Sequence, residues 1–312
     1  MSARIPLVVL LGPTAVGKTG LALALAEAFD GEIVGADSRQ IYRGLDIGSA
    51  KPTLAQQTRA PHHLIDVVEP DETLSLAEYQ TLATAAIADI ARRGRLPLLV
   101  GGTGQYLTAL VEGWRVPRVP PDPQLRAELE QYAAEHGGDA LFARLLAADP
   151  AAEAFVDGRN LRRVIRALEV TTLTCEPFSA QRRSAPPPYD IIQFGLTLER
   201  DALYARADQR IGAMMAAGFL DEVRGLLARG LNRRLPSLSA LGYTQLAAHL
   251  LDGLPLADAL EQTRFATHNY IRRQYTWFRG HDRGIHWMDA SSAEPLLIEA
   301  VSRWLAGRER SA

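Results

Sequence analysis

Cysteine occurs once, at Cys175, and lysine only at Lys18 and Lys51, so all but two of the 34 basic residues are arginine. A single thiol excludes an internal disulfide framework and a cysteine-built zinc site, and it fits a reducing, cytoplasmic setting. Cys175 itself reads as a small buried apolar side chain. No apolar run approaches the roughly 20 residues that span a bilayer, and stretches such as Ile5 to Leu11 have the length of core strands. No membrane partner is therefore expected. The alanine-rich start with Arg4 mimics a signal peptide, but Gly12-Pro13 and Lys18 interrupt it. A net charge of −2 excludes a globally basic coat protein, and 47% hydrophobic residues exclude a disordered tail. The 312 residues allow one large or two modest domains. Where arginine supplies nearly every cation, two retained lysines suggest sites that need a slim ammonium rather than a planar fork; chance composition is the alternative.

Ile5 to Leu11 has the continuous apolar character of a buried strand, Gly17 to Phe29 has helical periodicity, and Glu32 to Ala36 reads as a second strand. His63 to Val68 reads as another strand and Leu96 to Val100 as a buried one. Between them Ser75 to Arg93 forms an alanine-rich helix, with Glu78 placed for a capping box. Strand, glycine-rich turn, helix, strand is the opening of a parallel α/β domain. After Trp114 the prolines 117, 120, 121 and 123 punctuate, and helical segments follow over Gln124 to Ala148 and Asn160 to Leu173. We read residues 117–187 as an inserted helical subdomain closed by Pro186-Pro187-Pro188. It divides a core made of 1–116 and 188–312. Tyr189 to Leu198 returns to strand character. Long helices are expected near 200–229, 237–251 and 256–279, then a short apolar piece over Ile285 to Met288 and a last helix.

Gly12-Pro13-Thr14-Ala15-Val16-Gly17-Lys18-Thr19 matches G-x-x-x-x-G-K-[ST] between a strand and a helix. Such a loop turns successive backbone N–H groups into one concavity, adds the positive helix end and the Lys18 charge, and offers the Thr19 hydroxyl to Mg²⁺. It is a cradle for a polyphosphate; a nucleotide such as ATP and a diphosphate ester present the same oxygens. A strand ending in a magnesium-holding Asp is missing, for Leu96 to Val100 runs into Gly101-Gly102-Thr103-Gly104, and Asp66 is the only weak substitute. Asp37 follows the second strand directly, where ligands bind in open α/β sheets, and is a candidate base beside the cradle. The plainer reading is an Asp that caps its turn. Lys51 lies in an aperiodic loop and is open to either a binding or a surface role. Arg159, Arg162, Arg163 and Arg166, with Arg182 and Arg183 after them, form one basic stretch. Arg264, Arg272, Arg273 and Arg279, interleaved with Tyr270, Tyr275, Trp277 and Phe278, form another. Arginine with aromatics suits phosphate backbones and unstacked bases, while each run alone also reads as a solvated face. His62, His63, His281 and His286 have no metal-ligand pattern.

These residues, in this order, resemble the tRNA dimethylallyltransferase family, the bacterial tRNA isopentenyltransferases. The likeness covers nearly the whole chain. It rests on Gly12 to Thr19, Asp37 to Tyr42, Asp46 to Pro52, Gly101 to Tyr106, Arg163 to Val170, Gly242-Tyr243 and Arg273 to Arg279. The resemblance implies a P-loop NTPase-like parallel sheet flanked by helices, carrying an inserted all-helical, tRNA-binding subdomain, in a monomeric cytoplasmic enzyme. It implies transfer of a dimethylallyl group from dimethylallyl diphosphate to N6 of the adenine at position 37, in the anticodon stem-loop of tRNAs reading codons that begin with U. The products are N6-(dimethylallyl)adenosine and diphosphate. By that likeness Gly12, Pro13, Thr14, Ala15, Val16, Gly17, Lys18 and Thr19 hold the diphosphate with Mg²⁺ on Thr19. Asp37 accepts the amine proton, Arg210 steadies the leaving group, and Thr103 lines the mouth through which a flipped adenine passes. Asp37, Ser38, Arg39, Gln40, Arg162, Arg163, Val164, Ile165, Arg166, Arg272, Arg273 and Arg279 would meet tRNA. The chain departs from the family at Ser49, Gln105 and His268-Asn269, where Thr, Leu and Arg-Gln are usual. A P-loop kinase of small molecules or nucleotides is the alternative, and a non-catalytic RNA-binding module is disfavoured by Asp37 beside the cradle. Free adenine nucleotides would serve as acceptor in the related adenylate isopentenyltransferases, but the inserted helices argue for a macromolecule.

Overall fold

The computed structural model describes residues 4–181 and 183–309, so Arg182 lies outside it. The chain opens with β1 (Ile5–Leu11), α1 (Lys18–Ala28), β2 (Gly31–Ala36), the short α2 (Leu54–Arg59), β3 (His62–His63), α3 (Leu76–Arg92), β4 (Leu96–Gly101) and α4 (Gly104–Val111). The capping box that starts α3 is formed from both sides: the Glu78 N–H donates to Ser75 Oγ and the Glu78 carboxylate accepts the Ser75 N–H. The strand expected over His63 to Val68 shrinks to β3, because Leu64 and Asp66 take positive φ (64° and 53°) and turn the chain away. Val68 then makes a single bridge to Tyr42.

Residues 112–187 form a separate compact unit. It contains β5 (Trp114–Arg115), α5 (Pro123–His136), α6 (Gly138–Ala148), α7 (Leu161–Thr174), α8 (Phe178–Gln181) and β6 (Arg183–Ser184). The helices dominate, and β5 and β6 add an antiparallel ribbon that closes the two ends of the unit on each other. The single helix expected over 124–148 is two, broken at Gly137 with φ 90°. Glu169, fully buried on α7, holds this unit together. Its carboxylate accepts the Arg126 guanidinium at 2.7 and 2.9 Å, the Asp122 N–H at 2.8 Å and the Arg166 guanidinium. Cys175 departs from expectation: it ends α7 in the left-handed region (φ 54°), which turns its side chain out to solvent.

The remaining elements complete the first unit: β7 (Tyr189–Thr197), α9 (Arg200–Ala216), α10 (Phe219–Ala228), α11 (Tyr243–Asp252), α12 (Leu256–Gly280), β8 (Ile285–Asp289) and α13 (Ala293–Glu309). Gly218, with φ 98°, separates α9 from α10 inside the span 200–229. The strands form one parallel sheet in the order β3-β2-β4-β1-β7-β8. Strands covered on both faces read as unbroken apolar runs. In β1, Leu7, Val9 and Leu11 pack under α3 and α4, while Val8 and Leu10 pack under α1 and α13. The sheet order sets β2, β4 and β1 side by side, so their carboxyl ends deliver three loops to one edge.

Candidate active site

The first loop, Gly12 to Gly17, joins β1 to α1. Its glycines are required. A side chain at Gly12 (φ 153°) would strike the Leu196 carbonyl at 2.9 Å, and one at Gly17 (φ 108°) would meet the Arg206 guanidinium at 3.3 Å. Ala15 also takes a positive φ of 64°. Lys18 Nζ donates to the Gly12 and Pro13 carbonyls at 3.0 and 2.7 Å. Burial lowers its pKa to about 7, against the pull of Asp37 and with the push of Arg210. Arg210 on α9 is likewise lowered by burial and by Arg206, with Asp37 opposing. One carboxylate thus offsets part of the charging cost of two cations beside the cradle.

That carboxylate follows β2. Asp37 caps its own turn: Oδ1 accepts the Arg39 and Gln40 N–H groups at 2.8 and 3.4 Å. Among the described residues no hydrogen bond engages Oδ2. The loop after β4 lies alongside. Thr103 Oγ1 accepts the Ser38 N–H at 3.0 Å, and the Thr103 N–H donates to the Ala36 carbonyl at 3.1 Å. A methyl at Gly101 would meet the Ala36 carbonyl at 2.1 Å, and one at Gly104 the Trp277 ring at 2.2 Å, so this glycine run is a packing requirement. Tyr270 bonds to Thr103, and burial together with the charge of Asp37 pushes its phenol up to about 12.

Gln274 ties two of these loops together. Buried on α12, it accepts the Thr14 N–H at 2.9 Å through Oε1 and donates to the Gly102 carbonyl at 2.8 Å through Nε2. Sequence reasoning assigned no role to Gln274 or to Arg206. A signal for the former exists: Thr263, Thr267, Ile271, Gln274 and Phe278 form the buried stripe of α12, where a polar side chain needs a partner. Nothing in the spacing marks Arg206 apart from other helix arginines.

A fourth loop, Asp46 to Pro52, is pinned from α10. Glu222 accepts the Asp46, Ile47 and Gly48 N–H groups at 2.9, 2.7 and 3.1 Å, and the Tyr243 hydroxyl at 2.6 Å. Lys51 has a structural task. With its side chain 5% exposed, it donates to the Tyr42 carbonyl and to the Asp46 and Asp66 carboxylates. Asp66, the substitute magnesium ligand the sequence offers, thereby has one carboxylate oxygen engaged by Lys51.

The arginines sort by their partners. Arg272, Arg273 and Arg279 stand on the exposed side of α12, with Arg273 over the Tyr270 ring and Arg279 over the Tyr275 ring at 5.8 and 5.6 Å. Arg39 is held by the Pro236 carbonyl and Ser239 Oγ, and Gln40 Nε2 by the Ser49 and Ala50 carbonyls. In the inserted unit Arg162 is exposed. Val164 and Ile165, at 0% and 5% exposure, lie in the core of that unit and are not tRNA contacts, because two residues in every turn must face the neighbouring helices. Arg166 serves the buried Glu169. Of the histidines, His63 pairs with Glu32 at 2.7 Å. His268 pairs with Asp208 at 2.9 Å and stacks on Tyr204 at 4.1 Å.

No cluster of three or more His, Cys, Asp or Glu side chains able to hold a metal occurs among the described residues. Mg²⁺ riding on phosphate oxygens keeps several waters and needs only one or two protein oxygens. The Thr19 hydroxyl, in the first turn of α1 beside the cradle, meets that smaller demand.

A family profile described as IPP transferase matches residues 40–281. A protein named tRNA dimethylallyltransferase from Roseiflexus castenholzii is 58% identical over 275 residues, covering 88% of this chain and 90% of its own. One of the same name from Roseiflexus sp. is 54% identical, covering 96% and 99%. Among solved structures, the full-length tRNA isopentenylpyrophosphate transferase from Bacillus halodurans is similar with a TM-score of 0.72 and 38% identity, covering 99% of this chain and 98% of that one. Crystallographic snapshots of a eukaryotic dimethylallyltransferase acting on tRNA align with a TM-score of 0.79 and 26% identity, covering 93% and 75%.

Proposed function

The chain belongs to the IPP transferase family, and from that membership we propose that it is a tRNA dimethylallyltransferase. It takes dimethylallyl diphosphate and the adenine at position 37 of tRNAs that read codons beginning with U. The observation that carries this reading is Asp37 at the end of β2, sharing its field with Lys18 and Arg210 beside a phosphate cradle. The kinase alternative has no support among the relatives, whose names are those of prenyl transfer to tRNA.

An exocyclic aromatic amine is a weak nucleophile, so the donor must supply most of the reactivity. In the reaction the adenine N6 forms a bond to C1 of the allyl group while the C1–oxygen bond breaks. The electron pair leaves with the diphosphate, and the N6 proton passes to Asp37. Backbone N–H groups of Ala15 to Thr19, with Lys18 and Arg210, meet the charge growing on the departing diphosphate. Mg²⁺ bound to the diphosphate with Thr19 as a protein ligand would neutralise part of the same charge. A proton acceptor placed at the reacting amine contributes about 10²–10⁴ in rate. Thr103, bonded to Ser38 and Tyr270, frames the approach to Asp37. Arg39, Arg272, Arg273 and Arg279, and Arg162 and Arg163 in the inserted unit, supply cations for the anticodon stem-loop. No helix among the described residues is long and apolar enough to cross a membrane, and we place the protein in the cytoplasm as a monomer.

The test is incubation with dimethylallyl diphosphate, Mg²⁺ and tRNA lacking the modification, followed by nucleoside mass spectrometry. A single dimethylallyl on adenosine, lost in Asp37→Ala, is the expected result. No product with several folded tRNAs would overturn it.

A further inference from the structure

A cleft opens beside the cradle whose lining joins Thr14 and Arg210 to apolar side chains, Ile211, Met214, Phe219 and Leu241 among them. On α9, Met214 stands one turn beyond both Arg210 (i, i+4) and Ile211 (i, i+3), and all three line the cleft. One turn is about 5.4 Å, roughly the length of a five-carbon allyl group measured from its diphosphate oxygen. The lining at Phe219 is closely packed. Phe219 is 2% exposed and meets Tyr243 edge-on, with centroids 4.9 Å apart. Methyls at Gly48 and Gly242 would meet its ring at 2.1 and 2.5 Å, so backbone is packed against Phe219 at both positions. The Gly48 wall is itself fixed by Glu222 through three N–H groups. Met214 is half-buried and carries a flexible thioether, which makes it an adjustable side chain in this lining.

Building on the transfer reaction above, we propose that Met214, backed by Phe219, is the chain-length stop that confines the donor to five carbons. A ten-carbon allylic diphosphate placed with its diphosphate at the cradle would have to pass Met214, and Phe219 leaves no slack for it to retreat. The chemistry is unchanged by chain length: C1–N6 forms, C1–O breaks, diphosphate leaves and Asp37 takes the proton. Selection therefore rests on the fit of the tail alone.

The experiment compares dimethylallyl and geranyl diphosphate as donors to unmodified tRNA, with product read by mass spectrometry, for the unsubstituted protein and for Met214→Ala and Met214→Val. Removing part of one side chain from an apolar pocket alters selection about 10–200-fold. The ratio of geranyl to dimethylallyl kcat/KM is expected to rise at least about 10-fold in Met214→Ala, and by less in Met214→Val. Met214→Phe should act in the opposite sense, raising KM for dimethylallyl diphosphate more than it lowers kcat. Thermal unfolding of each variant verifies that it is folded, and Met214→Val serves should Met214→Ala not be. An unchanged donor ratio in a folded, active variant overturns the proposal, as does an unsubstituted protein that uses both donors equally well. If the unsubstituted protein transfers no dimethylallyl group at all, the functional reading falls first and this one with it.

Discussion

The side-chain amide of Gln274 accepts the Thr14 N–H at 2.9 Å and so fastens α12 to the phosphate cradle, while its other end donates to the Gly102 carbonyl at 2.8 Å. An amide is suited to this: it presents one acceptor and one donor a fixed distance apart, and a carboxylate or an apolar group satisfies at most one of the two loops. Gln274→Leu should leave the Thr14 N–H and the Gly102 carbonyl without partners, at a cost of about 1–3 kcal/mol each where they stay buried. The expected outcome is a lowered unfolding midpoint together with a kcat/KM for dimethylallyl diphosphate reduced at least tenfold. A midpoint that falls while kcat/KM is retained would show that the clasp stabilises the fold without shaping the cradle.

Asp37 has two tasks that one substitution separates. In Asp37→Asn the amide oxygen still accepts the Arg39 N–H, so the turn survives, but the proton of the amine has no acceptor. The variant should keep its unfolding midpoint and its affinity for tRNA, and lose about 10²–10⁴ in kcat. Asp37→Ala should lose the same rate and some stability as well, because the Arg39 and Gln40 N–H groups then lose their acceptor.

Much of this was legible in the sequence because it is local. The glycines of the cradle, the apolar runs of β1 and β4 and the Ser75–Glu78 cap are determined within a few residues of one another. The contacts of Gln274 and Glu222 are not, since each joins segments more than 170 residues apart. The same limit explains the errors at Val164 and Ile165. A basic stretch read as a linear motif says nothing about which residues of a helix face inward, and the 3.6-residue period turns two neighbours of Arg162 and Arg166 into core. Lys51 shows the converse. Its scarcity hinted at a special need for a slim ammonium, and the structure supplies a structural need, three oxygens at the end of a nearly buried stem.

Arg162 and Arg166 stand one turn apart on α7 and should respond differently to the same change. Arg162 is exposed, so Arg162→Ala should leave the unfolding midpoint unaltered, weaken tRNA binding and reduce by about one the slope of log affinity against log salt. Arg166→Ala removes one of two guanidinium groups from a fully buried carboxylate, and breaking such a cluster costs about 3–5 kcal/mol. Its first effect should be on stability, read as a lower midpoint in thermal unfolding. Equal effects of the two variants on the midpoint would contradict this division.

Acid should unfold the protein through Glu32. This residue sits on β2, five positions before Asp37, at 2% exposure. Hydrogen bonds from Arg93 lead in lowering its pKa from 4.5 to about 2, with His63 adding to the effect and burial opposing it. Because the folded value lies below the unfolded one, the unfolded chain binds more protons between them, and stability falls as pH drops. The contribution is complete above about 4.5 and disappears as pH approaches 2. Glu32→Gln cannot hold the guanidinium charges, so it should be less stable at neutral pH and show a flatter decline of unfolding midpoint between pH 4.5 and 2 than the unsubstituted protein. Since β2 also places Asp37 at the sheet edge, the unsubstituted protein should lose transfer activity irreversibly over the same interval only if refolding fails. Activity regained on return to neutral pH would show that β2 re-forms its register with Glu32 back in its pair. Parallel acid titrations of the two proteins, followed by circular dichroism, distinguish this from a general loss of carboxylate charge, which would give both the same slope.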